Sequence, residues 1–280
     1  MKTFLFRLSL KAKGQRDAFE RLKSDGSEFS REEWLRAVFS KQFSFRHKGN
    51  EFFFVPEPTK NSGLPEKIVS GWIARDRQQT ERTPPWEGLS PTEHRSWQAA
   101  LLLLDPSDHP DGQKLALESN PDVGGPAPIL ASLAQHFSEG HSEPYSVSVF
   151  PIIQARSFAR FAEEHKGTIQ VIAYDVAVPN MFNSPDDFSE EMKRLRDKGN
   201  IARVRTRLES DDAIDTDASQ LDEIAEHVEK GGGKITARTK DGKRYRSDDH
   251  KVAEEIDTAG TEPETASYWE TIKGALDRIF

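Results

Sequence analysis

The chain has 280 residues, 35% of them hydrophobic, no cysteine, and a formal net charge of −8 from 47 acidic and 39 basic side chains. That is enough apolar material for one large core or two modest ones, and the lack of cysteine excludes disulfides, thiolate nucleophiles and cysteine-ligated zinc. An acidic chain is not drawn as a whole to nucleic acid or anionic membrane, so any polyanion binding has to be local. The longest apolar run, residues 99–104, is far too short to span a bilayer, and a cytoplasmic location is expected.

In chain order, residues 3–11 read as a strand; Arg7 interrupts the apolar run and no small-residue cleavage site follows, which argues against a signal peptide. Helical spacing follows at 16–23 and 31–41, the second with Trp34, Ala37 and Val38 on one side. Residues 43–56 hold two aromatic-rich runs around Lys48-Gly49-Asn50, the turn chemistry of a short hairpin. After a strand at 68–75, the polar stretch 77–97 contains Pro84, Pro85 and Pro91 and is expected to be a long exposed loop, pinned to the body by Trp86 and Trp97. Strands at 98–104, 113–118, 145–153 and 168–178 then alternate with helices at 128–138 and 157–165.

Phe188, Met192 and Leu195 mark a further helix, and Leu221, Ile224, Ala225 and Val228 an amphipathic one. Ser219 and Asp222 open the latter in the manner of a capping box, and Gly231, Gly232 and Gly233 stop it. Residues 251–267 are acidic and carry Pro263, as a linker would. The terminal stretch 268–280 aligns Trp269, Ile272, Leu276 and Ile279 on one side of a helix, which either packs on its own domain or enters a groove of a protein partner. The expected architecture is α+β: a mixed β-sheet covered by helices, extended by β-hairpins and closed by the C-terminal amphipathic helix. Its parts are 1–76, the loop 77–97, a main part 98–250 with a basic β-α-β unit, the linker and the last helix, with 1–76 and 98–250 in one domain or two closely packed ones.

Two basic stretches, 193–207 and 234–246, hold seven and six of the Lys and Arg residues and frame an acidic run. Arg203, Arg205 and Arg207 alternate with apolar or neutral residues, as do Lys234, Arg238 and Lys240 around Ile235, Ala237 and Thr239. With the helix between them on the apolar side, both strands turn their charges the opposite way. Lys243, Arg244, Tyr245 and Arg246 continue the patch through a hairpin at Asp241-Gly242, with Tyr245 as a stacking surface. The acidic segment 209–217, or the linker, is placed to fold across these arginines and neutralise them.

The other candidate is a cluster of Asp105, Asp108, His109, Asp111 and Glu118, ligand types that suit a divalent metal. Counted from Ser107, Asp111, Gly112 and Glu118 fit places of a calcium loop, but Ser107 and His109 fill ligand places, Pro110 interrupts and the flanks read as strands; a polar hairpin turn is expected. A metal-dependent nuclease or phosphoryl-transfer enzyme is the alternative, and a divalent metal belongs to that reading alone; otherwise no cofactor is expected. Glu191-Met192-Lys193 and Asp241-Gly242-Lys243 have nuclease-like spacing on a helix and in a turn. Gly231-Gly232-Gly233-Lys234 lacks the hydroxyl residue of a phosphate loop, and Gly124-Gly125 precedes a helix without a lysine. No Gly-x-Ser-x-Gly or His-Glu-x-x-His pattern occurs.

The order of GWIAR at 71–75, PPWEGLS at 84–90, LLLLD and GQKLALE at 101–105 and 112–118, VPNMF at 178–182 and KITARTKDGKRYRS at 234–247 resembles that in small bacterial proteins of unknown function that accompany anti-phage defence genes. The resemblance covers about two thirds of the chain. It implies a subunit of a multi-protein defence complex, with catalysis supplied elsewhere. The expected partners are another protein or a second copy, and nucleic acid, but not a membrane.

Overall fold

The computed structural model describes residues 1–13, 30–109, 112–140, 143–177, 201, 203–216, 219–263 and 265–280. The helices expected at 16–23 and around Met192 lie outside the described residues. The fold is α+β. Its elements are β1 (Lys2–Ala12), α1 (Arg31–Phe39), β2 (Phe43–His47), β3 (Asn50–Pro56), the single turn α2 (Thr59–Ser62), β4 (Val69–Arg82), β5 (Pro91–Asp105), β6 (Gln113–Glu118), α3 (Pro126–Glu139), β7 (Tyr145–Pro151), α4 (Ser157–Glu164), β8 (Ile169–Ala177), β9 (Arg203–Glu209), α5 (Ser219–His227), β10 (Gly233–Thr239), β11 (Arg244–Arg246), β12 (Ala253–Glu255) and α6 (Ala266–Ile279).

Local chemistry accounts for several boundaries. Ser30 accepts from the Glu33 amide while the Glu33 carboxylate accepts from the Ser30 amide, a capping box that fixes the start of α1. Lys48 and Gly49 both take positive φ, +49° and +81°, as the two-residue turn between β2 and β3 requires. After α5 the chain widens into a turn of π-helix at Val228–Gly232, where Gly231 has φ +81°. A Cβ on Gly232 would lie 2.2 Å from the His227 ring, so this glycine run is a helix stop packed against a buried histidine.

Strands β12, β1, β6, β5, β4, β3 and β2 follow one another in a large sheet, and β7 shares with β12 the outer edge of β1. Both faces are covered. Phe6, Leu8, Phe52, Phe54, Leu102 and Leu104 pack under α1 and α3, whereas Leu5, Leu101, Leu103 and Ala116 pack under α6. Four consecutive leucines are therefore buried on alternate sides of β5, which is why this strand reads as an unbroken apolar run.

The second sheet has the order β11-β10-β8-β9. Helices α4 and α5 cover one face through Phe158, Ala162, Leu221, Ile224 and Ala225. It joins the large sheet where Ile153 bridges to Lys251 and the Arg203 guanidinium stands 5.0 Å over the Phe150 ring.

Several expectations change. Every described strand pair is antiparallel, so the mixed sheet is replaced by two antiparallel ones. Strands β9 and β10 do run parallel to each other, but β8 lies between them. The segment 77–97 is exposed yet is no loop: β4 and β5 stay in register from Val69↔Leu104 to Arg82↔Pro91 and form a projecting ribbon. Trp86 at its tip is 83% exposed and anchors nothing, and Trp97 touches Phe53 at 5.4 Å while remaining 63% exposed. The boundary between 1–76 and 98–250 separates nothing, because β4 and β5 are neighbours. Nor is 251–267 a free linker: β12 pairs with β1 and Ile256 is buried. On α6, Trp269, Ile272, Leu276 and Ile279 are buried against the chain's own sheet, so of the two expected roles self-packing is the one observed.

Candidate nucleic-acid interface

The antiparallel registers lay out, residue by residue, the face of the second sheet that no helix covers among the described residues, since directly opposed residues share a face. Ile172, Tyr174 and Val176 of β8 lie with Ile235, Ala237 and Tyr245 on the helix-covered side. The other side holds Val171, Ala173 and Asp175 of β8, Lys234, Thr236 and Arg238 of β10, Arg244 and Arg246 of β11, and Arg203, Arg205, Arg207 and Glu209 of β9. Cations thus occupy both margins, and Val171, Ala173 and Thr236 form a strip of small residues between them. Three inter-strand steps separate β9 from β11, a width of about 14 Å.

The two margins differ in how their charges are met. On β9, Arg203 donates to both Asp175 oxygens at 2.9 Å, Arg205 donates to the same carboxylate at 2.9 Å, and Arg207 pairs with Glu209. On β10, Lys234 reaches Asp248 at 2.7 Å. Arg238, Arg244 and Arg246 are exposed, and none forms an ion pair among the described residues. Arg238 and Arg244 are also direct cross-strand partners, and like charges placed opposite each other are destabilising.

The acidic segment does not mask this face. Ser210 donates to the Gln170 carbonyl, Ile214 donates to that of Ile169, and Ile214 packs into the core on the covered side. Glu209 pairs with Arg207 on that side. The neutralising carboxylates are Asp175 and Asp248, which the sequence reading missed; the one signal for Asp175 was a lone acid in the apolar run of β8. At the β10–β11 turn, Lys240 and Lys243 are exposed, Lys243 lies 3.8 Å from Asp241, and the Thr239 hydroxyl holds the Asp241 carboxyl below its ordinary range.

Tyr245 is not a stacking surface. Alternation turns it to the covered side, where it is buried, bonded to the Ser157 hydroxyl at 2.8 Å and stacked on His250. Burial pushes its hydroxyl pKa up.

Among the described residues the carboxylate cluster does not assemble. Asp105 is buried, accepts from the Ser107 amide at 3.0 Å and lies 3.2 Å from His109 Nε2, while Gln113 donates to Asp108 at 2.9 Å. Burial works to raise the Asp105 carboxyl, but hydrogen bonds from Ser107 and His109 outweigh it and hold the group below its usual range. Glu118 stands at the far end of β6, about 17 Å along the strand. There it accepts from the Leu101 amide, and burial raises its pKa. Asp111 lies outside the described residues, among which no group of three His, Asp or Glu is placed to hold a metal. At Gly124-Gly125, Pro126 and Pro128 remove two of the N–H donors that the first turn of α3 would offer an anion. No protein-family model matches the chain, and comparison with curated proteins and with solved structures gives no match.

Proposed function

We propose that this chain is a binding subunit that holds the phosphate backbone of nucleic acid on the open face of its second sheet, within a bacterial anti-phage defence complex whose chemistry resides in another subunit. The observation that carries the reading is the Arg238–Arg244 pair, with Arg246 beside it: adjacent, exposed guanidinium groups whose mutual repulsion an anion relieves. On the opposite margin Arg205 and Arg207 are exposed and hold a half-buried carboxylate, Asp175, and an exposed one, Glu209, for which a phosphate can compete. The strip between the margins bears no aromatic side chain, so the contacts position a backbone and do not read bases. With about five phosphate contacts, log K against log salt has a slope of about −3.5 to −4.5.

Fluorescence anisotropy with labelled single- and double-stranded oligonucleotides at several salt concentrations tests this. Reversing Arg238, Arg244 and Arg246 together to Glu abolishes binding and leaves thermal stability unchanged, because none of the three supports the core. Undiminished binding by that variant overturns the reading.

A further inference from the structure

Outside the basic face, the most exposed apolar side chains gather on one element. Among the described residues five large hydrophobic side chains stand out from the surface: Trp86, Leu89 and Trp97 belong to the β4–β5 ribbon, Val55 lies on β3 beside its base, and the fifth is Leu208. Scattered singly, such residues are ordinary, but here they form two groups, one at the tip and one at the base. Between them Gln78, Thr80, Glu81, Arg82 and the facing residues of β5 are exposed, and the ribbon runs about 20 Å from Asp76 to Arg82. A two-stranded ribbon without a covering layer is marginal by itself.

The tip is held open by its own bonds. Thr83 donates to the Ser90 carbonyl at 3.0 Å, Ser90 donates to the Thr83 hydroxyl at 2.9 Å, and Glu87 donates to Pro84 at 2.8 Å. Leu89 sits at φ +52°, an uncommon conformation for a branched side chain, and is 47% exposed. Residues 76–97 carry four acids (Asp76, Glu81, Glu87 and Glu93) and three arginines (Arg77, Arg82 and Arg95), so nucleic acid does not suit this surface.

The registers place Asp76 and Trp97, then Gln78 and Arg95, then Thr80 and Glu93, then Arg82 and Pro91, in successive rows on one face of the ribbon. Phe53 and Val55 continue that face at the base. Laid antiparallel on a second copy, the first row meets the fourth and the second meets the third. Asp76 then faces Arg82 of the other copy, Arg95 faces Glu93, and the Trp86 tip reaches beyond the last row to the Phe53 and Val55 base. We infer that two copies of this chain pair about a two-fold axis through these ribbons, each tip covering the other's base. The contact is isologous and closes on itself, so it forms dimers and not chains.

Sedimentation velocity on the full chain over a wide concentration range tests the pairing. The expected species is a dimer, and Trp86→Ser or Leu89→Ser raises its dissociation constant by about thirtyfold with circular dichroism unchanged. Arg95→Glu or Glu93→Arg alone weakens the dimer by about threefold to fivefold. The two together restore most of the affinity, because each reversed charge again faces its opposite on the other copy; the remainder is the loss of the Arg95–Asp76 pair, 3.9 Å apart within one chain. A monomer at every concentration, a dimer indifferent to Trp86→Ser and Leu89→Ser, or a double charge reversal that fails to restore affinity each overturns the inference.

Discussion

In the large sheet, Leu101 to Leu104 are enclosed between α6 and the α1–α3 layer, whereas in the four-stranded sheet β8 and β10 are backed by helices on one side and face Arg203 to Arg207 and Arg238 to Arg246 on the other. A sheet closed on both sides spends its whole surface on stability. One backed by helices on a single side leaves a regular array of side chains, set at the spacing of strands and residues, on the other. The ribbon that leaves the large sheet follows the same logic, since its exposed strands carry side chains on both faces.

Four substitutions or conditions separate stability from binding along this divide. Leu102→Ala leaves a cavity between the large sheet and its helices and costs about 3–5 kcal/mol in urea unfolding. A loss well under 2 kcal/mol would mean that this sheet is less tightly enclosed than described.

Acid acts next, through the second sheet's support. Burial, helped by nearby Arg7, pushes the His227 pKa from 6.5 down to about 4, with Nε2 3.2 Å from the Ala177 carbonyl. Unfolded, this histidine takes its proton near pH 6.5, so below that the unfolded chain binds more protons than the folded one. Stability therefore falls as the pH drops from 6.5 to 4, by about 3 kcal/mol from this group. Urea titrations across that range should show a smaller loss in His227→Gln; an identical pH dependence would count against a neutral buried imidazole.

Tyr245→Phe removes the bond to Ser157 on the covered side and costs about 1 kcal/mol, while oligonucleotide affinity stays constant. A drop in affinity would return Tyr245 to the binding face. Asp175→Asn has the least effect on stability, under about 1 kcal/mol, because its arginine partners are exposed. It frees Arg203 as one further phosphate contact beside Arg205, and the salt dependence of the proposed nucleic-acid binding steepens by about one unit. If the slope does not move, the β9 margin takes no part.

Much of this organisation was legible in single segments. The alternation of Arg203, Arg205 and Arg207, the Lys48-Gly49 turn, the helix stop at Gly231 and the apolar side of 268–280 each follow from side-chain period or backbone chemistry over a few residues. Residues 77–97 were misread because prolines and polar side chains look alike in a loop and in a ribbon exposed on both faces; the pairing partner, not composition, makes the strand. Tyr245 was placed on the wrong side because the short β11 gave too little alternation to fix its phase.

By itself the sequence determined which residues alternate, where helices start and stop, and that the arginines of each basic strand share a side, since these depend on neighbours a few positions apart. Tertiary structure alone decided that β8 separates the two basic strands, that Asp175 lies between Arg203 and Arg205, and that Arg238 is set directly against Arg244. Such encounters join residues distant in sequence, and they are fixed by strand order and register, which depend on how the whole chain closes its cores.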